Sequence, residues 1–124
     1  MTQERLSLGR LGERLAREYL QERGYRVVAE NFRTRLGEID LIARHGKTLV
    51  FVEVKTRRSH THGHPFEAVT PRKQAQLSRV ALEYMSREGG VDQLARFDVV
   101  GITVRPAETR IELVTNAFAL ATGR

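Results

Sequence analysis

Asp40, Glu53 and Lys55 are the side chains of this 124-residue chain whose types and spacing could do chemistry together. Asp40 closes the segment Gly37-Glu38-Ile39-Asp40, and Glu53 and Lys55 flank Val54 after twelve intervening residues. Both segments read as strands, so alternation puts Glu53 and Lys55 on one face with Leu49 and Phe51. A tight hairpin of even length centred on His45-Gly46 would set Asp40 opposite Phe51 and Glu38 opposite Glu53. Asp40 then becomes the diagonal neighbour of Glu53 on the same face, roughly 7–8 Å away. An odd-length loop would turn Asp40 to the other face and separate the pair.

Carboxylates between Phe51 and the neighbouring valines are costly to bury unless something compensates them. Three arrangements would do so: an ion pair with Lys55, hydrogen bonds, or a metal ion. Mg²⁺ suits the third, because it prefers hard oxygen ligands, takes one or two carboxylates and keeps waters for a substrate phosphate. Lys55 could then stabilise charge on a phosphoryl transition state or orient the attacking water. The competing explanation is a solvated strand end, since Glu-x-Lys tripeptides are common and surface ion pairs contribute little. An acidic residue on the hairpin partner, two strongly apolar strands and a basic chain favour the site.

The elements that must position these residues follow from periodicity. Ser7 to Arg23 reads as a helix with Leu8, Leu11, Leu15 and Tyr19 on one stripe and Gly12 and Ala16 beside it, small enough to lie close to a sheet. Gly24 ends it. Strands are expected at Tyr25–Phe32, Glu38–Arg44 and Thr48–Lys55, the last nearly continuous in apolar residues, as in a central strand covered on both faces. A second helix begins with Thr70 as N-cap and Pro71 at the first helical position, carries Leu77, Val80, Ala81, Tyr84 and Met85, and stops at Gly89-Gly90. Strands Phe97–Val104 and Arg110–Val114 follow, the latter at an edge, and Asn116–Ala121 is expected to form one helical turn. A strand–helix–strand crossover implies a parallel pair in a mixed sheet, hence an α/β fold with helices flanking a central sheet, in one domain.

Twenty-one Lys and Arg against fifteen Asp and Glu give a net charge of +6. That field favours polyanions, nucleic acid first. Cysteine is absent, which excludes disulfides and thiolate chemistry. No apolar run approaches the roughly 20 residues of a membrane span, and the chain opens with polar residues rather than a signal core. A reducing cytoplasm is therefore the expected location. No basic amphipathic helix or lipidation signal points to a membrane surface.

Asp40, the twelve-residue spacer and Glu53-Val54-Lys55 together resemble the PD-(D/E)XK nuclease superfamily, including archaeal Holliday-junction resolvases. More closely, the chain resembles the YraN-like family of small, largely uncharacterised bacterial proteins. The motifs are Gly12-Glu13, Gly24-Tyr25, Asn31-Phe32-Arg33, Gly37-Glu38-Ile39-Asp40-Leu41-Ile42, Val50-Phe51-Val52-Glu53-Val54-Lys55, Glu67-Ala68-Val69, Lys73 and Phe97-Asp98-Val99. The resemblance implies a restriction-endonuclease-like αβββαβ core, with Asp40 and Glu53 as ligands of Mg²⁺ or Mn²⁺. It further implies the Val54 carbonyl as an additional ligand, Lys55 as the catalytic lysine and Glu13 as an acid joining the site. The partner implied is DNA, branched or otherwise structured, acted on by a homodimer. Ile39 stands where the motif has its nominal proline, and His62-Gly63-His64-Pro65 departs from the Phe-Gly pair usual in that loop.

Glu38 is expected either as an acid behind the metal ligands, the favoured place, or as a solvent-facing neighbour. Arg33, Arg35, Arg57, Arg58, Arg72 and Lys73 are the candidate phosphate contacts, the last two at a helix N-terminus whose dipole favours anions. His60, His62 and His64 alternate along one loop but lack a fourth ligand nearby for Zn²⁺. Few aromatics interleave the basic residues, so a stacking platform for single strands is not expected. Two functions fit these residues: a metal-dependent endonuclease, or a nuclease fold that binds nucleic acid or a partner without cutting.

Overall fold

The computed structural model describes residues 3–58 and 64–120. Helix α1 (Gln3–Glu22) is followed by strands β1 (Arg26–Thr34), β2 (Gly37–His45) and β3 (Thr48–Arg57). A 3-10 turn (Pro65–Ala68), helix α2 (Pro71–Arg87) and strands β4 (Ala95–Val104) and β5 (Thr109–Phe118) complete the chain. The five strands form one sheet in sequence order, antiparallel throughout except for the parallel β3–β4 pair. The expected α/β architecture with a mixed sheet and its αβββαβ order is what the chain adopts.

β3 lies at the centre, and its alternation divides the core. Leu49 and Phe51 pack with Ile42, Leu77, Val80, Ala81, Met85, Phe97 and Val99 on the α2 side. Val50 and Val52 pack with Ala16, Leu20, Leu41, Ala43, Val100 and Ile102 on the α1 side. Both faces are covered, which is why this strand reads as a continuous apolar run. On α2, Thr70 caps as expected, its hydroxyl accepting from the Lys73 N–H at 3.2 Å, with Pro71 next.

On α1, the fully buried positions are Ala16 and Leu20, and Gly12 is buried too, while Leu11, Leu15 and Tyr19 are only half-buried. The helix therefore turns its small residues, rather than its leucine stripe, toward the sheet. A Cβ on Gly12 would fall 1.8 Å from the Thr56 Oγ1 of β3, so only glycine permits this approach.

Two further expectations change. The β2–β3 hairpin closes over Gly46-Lys47, with His45 paired to Thr48 and Gly46 at φ +62, the glycine-first order of a type II′ turn. Centring the loop one residue later shifts the register by two, so Phe51 faces Ile42 and not Asp40. The loop length stays even, which preserves the side of the sheet. Asn116–Ala121 does not open as a helical turn either: β5 continues to Phe118, which stacks on Phe97 with centroids 4.4 Å apart. Asn116, at φ +50, is the irregular step, and its N–H donates to Asp98 at 2.9 Å.

A polar network centred on Asp98, which pairs with Val52 of β3, ties β2, β4, β5 and the residue before β1. Asp98 is fully buried and accepts from the Tyr25 hydroxyl at 2.7 Å, from the Arg96 Nε at 3.0 Å and from Asn116. Arg96 also meets the His45 Nδ1 at 2.9 Å, and His45 stacks on Tyr25 at 4.2 Å. The acid is buried with its charge paired and its lone pairs filled, the condition for tolerating it there.

Candidate active site

The β2–β3 pairing ends at Leu41 opposite Val52. One further step would bring Asp40 across from Glu53, and there the side chain of Asp40 takes over from the main chain. Its Oδ2 accepts from the Val54 N–H at 2.8 Å, and its carboxyl hydrogen-bonds Glu53. Two acids from neighbouring strands thus meet where the backbone ladder stops. Glu53 is 6% exposed.

Burial is the first cause that pushes the Asp40 carboxyl up to about 8, and the Glu53 charge is the second. The Val54 N–H pulls the other way, while the hydrogen bond to Glu53 and the charge of Glu13 add to the rise. Asp40 accordingly holds a proton near neutral pH, as a second charge in this buried place would lie against the Glu53 carboxylate.

Two ammonium groups approach the same oxygen of Glu53. Lys55 Nζ lies 3.4 Å from its Oε2, and Lys73 Nζ, from the first turn of α2, lies 3.8 Å away. Both lysines are about one-third exposed, so they face the solvent side of a buried acid. Glu13 comes from α1 because Gly12 rests against Thr56, and it lines a cleft with Leu8, Gly9, Val54, Lys55 and Thr56. Its Oε1 accepts from Asn31 Nδ2 at 3.1 Å.

The donor set can be tested for a metal from its own chemistry. Among the described residues no three His, Cys, Asp or Glu side chains are gathered closely enough to hold an ion. Asp40 and Glu53 supply hard carboxylate oxygens that repel one another and retain a proton to relieve it. A divalent cation would relieve the same repulsion, and two carboxylates plus a carbonyl and waters is a ligand set that Mg²⁺ accepts. The residues fit a hydrated Mg²⁺ or Mn²⁺ held from one side, with Glu13 acting through space rather than as a third ligand.

Of the remaining candidates, Lys73 turns into the site. Arg33 does not stand free for phosphate: its Nε and Nη2 both donate to Glu38 Oε2, at 2.9 and 2.7 Å. Glu38 consequently faces Arg33 across the β1–β2 pair, so the expectation that it backs the metal is corrected. Arg35 sits in the β1–β2 turn beside a groove lined by Thr34, Leu36, Glu83 and Arg87. Arg57 ends β3, Arg58 follows it and is exposed, and Arg72 is exposed at the start of α2. His60 and His62 lie outside the described residues. His64 caps the 3-10 turn through Phe66 N–H and pairs with Glu112. No described helix is long and apolar enough to cross a membrane.

The sequence reading gave no role to Asn31, Tyr25 or Asp98, although all three fall within the motifs it singled out. A mid-strand Asn and a buried-strand Asp were the available signals.

Comparison with known proteins agrees with these motifs. A UPF0102 protein of Syntrophus aciditrophicus is 51% identical over 124 residues, covering 100% of this chain and 97% of that protein. One from Geobacter sulfurreducens is 56% identical over 115 residues, 92% of this chain and 90% of the relative. One from Alkaliphilus metalliredigens is 49% identical over 112 residues, 90% and 97% respectively. The sequence profile of the uncharacterised protein family UPF0102 matches residues 12–102, from Gly12 of α1 to Ile102 of β4. The chain therefore belongs to the uncharacterised protein family UPF0102, the YraN-like family that its motifs resemble.

Proposed function

We propose that this protein is a metal-dependent endonuclease of the PD-(D/E)XK type that hydrolyses phosphodiester bonds of DNA, branched or otherwise structured. The observation that carries the reading is the meeting of Asp40 and Glu53 where the β2–β3 ladder stops, with Lys55 at 3.4 Å from Glu53. Asp40, Glu53 and the Val54 carbonyl would hold Mg²⁺ or Mn²⁺, which supplies Lewis acidity and a nucleophilic water at neutral pH. Lys55 neutralises charge on the scissile phosphate, and Lys73 is the second ammonium at the same acid. The +6 net charge draws DNA toward the surface, with Arg35, Arg57, Arg58 and Arg72 as its phosphate contacts.

Branched, single-stranded and duplex DNA incubated with the purified protein in Mg²⁺ or Mn²⁺ tests this. Cleavage is expected to fall at least about 100-fold in Asp40→Ala and Glu53→Ala. Activity that persists in both variants defeats the assignment. One observation favours a second reading: Lys55 and Lys73 already counter the charge of Glu53 without an ion. Steeply salt-dependent DNA binding with no cleavage in any metal would make the protein a binding module.

A further inference from the structure

We propose that Asn31 is a positioning residue that aims the Glu13 carboxylate at the Asp40–Glu53 pair and thereby sets the affinity of that pair for a divalent cation. The inference rests on the reading of Asp40 and Glu53 as cation ligands and adds the device that brings an acid from α1 to them.

Asn31 is in the interior of β1, yet its φ is +50, a conformation that strands do not use and that Asn tolerates better than most residues. The β1–β2 pairs on either side are Glu30 with Leu41 and Phe32 with Ile39. Asn31 and Asp40 therefore occupy the same unpaired step, next to one another across the ladder. From that step Asn31 reaches away from β2, and its Nδ2 donates to Glu13 Oε1 at 3.1 Å. The adjacent Glu30 accepts from Arg17 Nη1 at 2.6 Å, fixing the next turn of α1 to the same stretch of β1. Gly12 against Thr56 sets the depth of the helix. Two contacts fix where α1 lies, and Asn31 fixes where its acid points.

The contact has an electrostatic consequence, because Glu13 lines one cleft with Val54 and Lys55, the two residues that follow Glu53. A carboxylate held behind two ligands raises the negative potential at the ion without touching it. Groups hydrogen-bonded to metal ligands commonly change affinity 10- to 100-fold when removed, and a charge one step further from the ion is expected at the low end of that range. A purely conformational role for Asn31 makes a different prediction, since glycine adopts φ +50 without strain.

The test is calorimetric titration of Mn²⁺ into the full chain and into N31G, E13Q and the double variant, alongside thermal unfolding without metal. N31G is expected to unfold like the unaltered protein and to bind Mn²⁺ about 10-fold more weakly. E13Q is expected to lose a similar amount, and the double variant no more than E13Q alone, because Asn31 acts through Glu13. Affinity unchanged in N31G, or losses that simply add, overturns the inference and leaves the cation site standing. No Mn²⁺ binding by the unaltered protein overturns the functional reading and this inference with it.

Discussion

Replacing Asp40 with Asn should make the metal-free protein more stable while abolishing its site, and the gain should depend on pH. Asn has the same shape: its carbonyl oxygen can accept from the Val54 N–H as Asp40 Oδ2 does at 2.8 Å, and its NH₂ can donate to Glu53. What it removes is a titrating acid whose folded-state value is raised from 3.8 to about 8. Below pH 4 that acid is protonated in folded and unfolded chains alike, and no penalty exists. As pH rises from about 4 to 8 the unfolded chain gives up its proton while the folded one retains it, so stability falls across that window and levels off above 8. The full shift corresponds to roughly 6 kcal/mol as an upper limit. Water at the half-exposed edge of the pair and the two neighbouring ammoniums would relieve much of it. A gain of about 2 kcal/mol at pH 8.5, or about 5–10 °C in Tm, is the expectation for D40N, shrinking toward zero near pH 4. Thermal unfolding of both proteins at pH 4.5, 6.5 and 8.5 in chelator reads it. Adding Mg²⁺ should then raise the Tm of the unaltered protein and leave D40N where it was. A D40N protein that is less stable at pH 8.5, or whose difference is the same at every pH, refutes the picture of a proton retained on Asp40.

Binding of a divalent ion should expel the proton that Asp40 retains at neutral pH, so affinity should climb up to about tenfold per pH unit between pH 6 and 8 and flatten beyond. Titrations in buffers of different ionisation enthalpy should count about one proton released per ion at pH 7. Gly12→Ala drives a methyl into Thr56 at 1.8 Å, and a loss of about 1–3 kcal/mol is expected in urea unfolding, with weaker ion binding as Glu13 is displaced. Tyr25→Phe leaves the fully buried Asp98 short of a hydrogen bond, which should cost about 1–3 kcal/mol in the same assay. Ion affinity should be unchanged in that variant, because Tyr25 packs on the α1 side of the sheet with Val52, the partner of Asp98, whereas Glu53 follows Leu49 and Phe51 on the other side.

Alternation along β3 and the even parity of the hairpin were enough to bring Asp40 and Glu53 together from sequence, because those two rules fix sides of a sheet. They do not fix register, and the two-residue displacement came from Gly46, whose φ of +62 moves the turn one residue along. The same displacement moved Glu38 out of step with Glu53, while its pairing with Arg33 follows from the β1–β2 register and not from spacing within either strand. On α1, periodicity found the helix but favoured leucines over the glycine and alanine that the sheet admits. Asn31 and Asp98 were silent because their meaning lies in tertiary partners, Glu13 and Tyr25, that are 18 and 73 positions away along the chain. Lys73 shows the reverse: a residue expected on the surface as a phosphate contact lies 3.8 Å from the buried acid, because Thr70 and Pro71 begin α2 beside it.

The parallel pairing of β3 with β4 runs on to Arg57 opposite Thr103, well past the point where the pairing with β2 ends. Glu53 and Lys55 thus remain bolted to β4 along one flank, whereas Asp40 is carried on a strand that has parted from β3 and is held from the β1 side alone. Any breathing of the centre will be lopsided, with the aspartate swinging against a stationary glutamate and lysine. Adjustment to ions of different radius should therefore be felt first at the Val54 N–H that tethers Asp40, whose hydrogen exchange would report the swing.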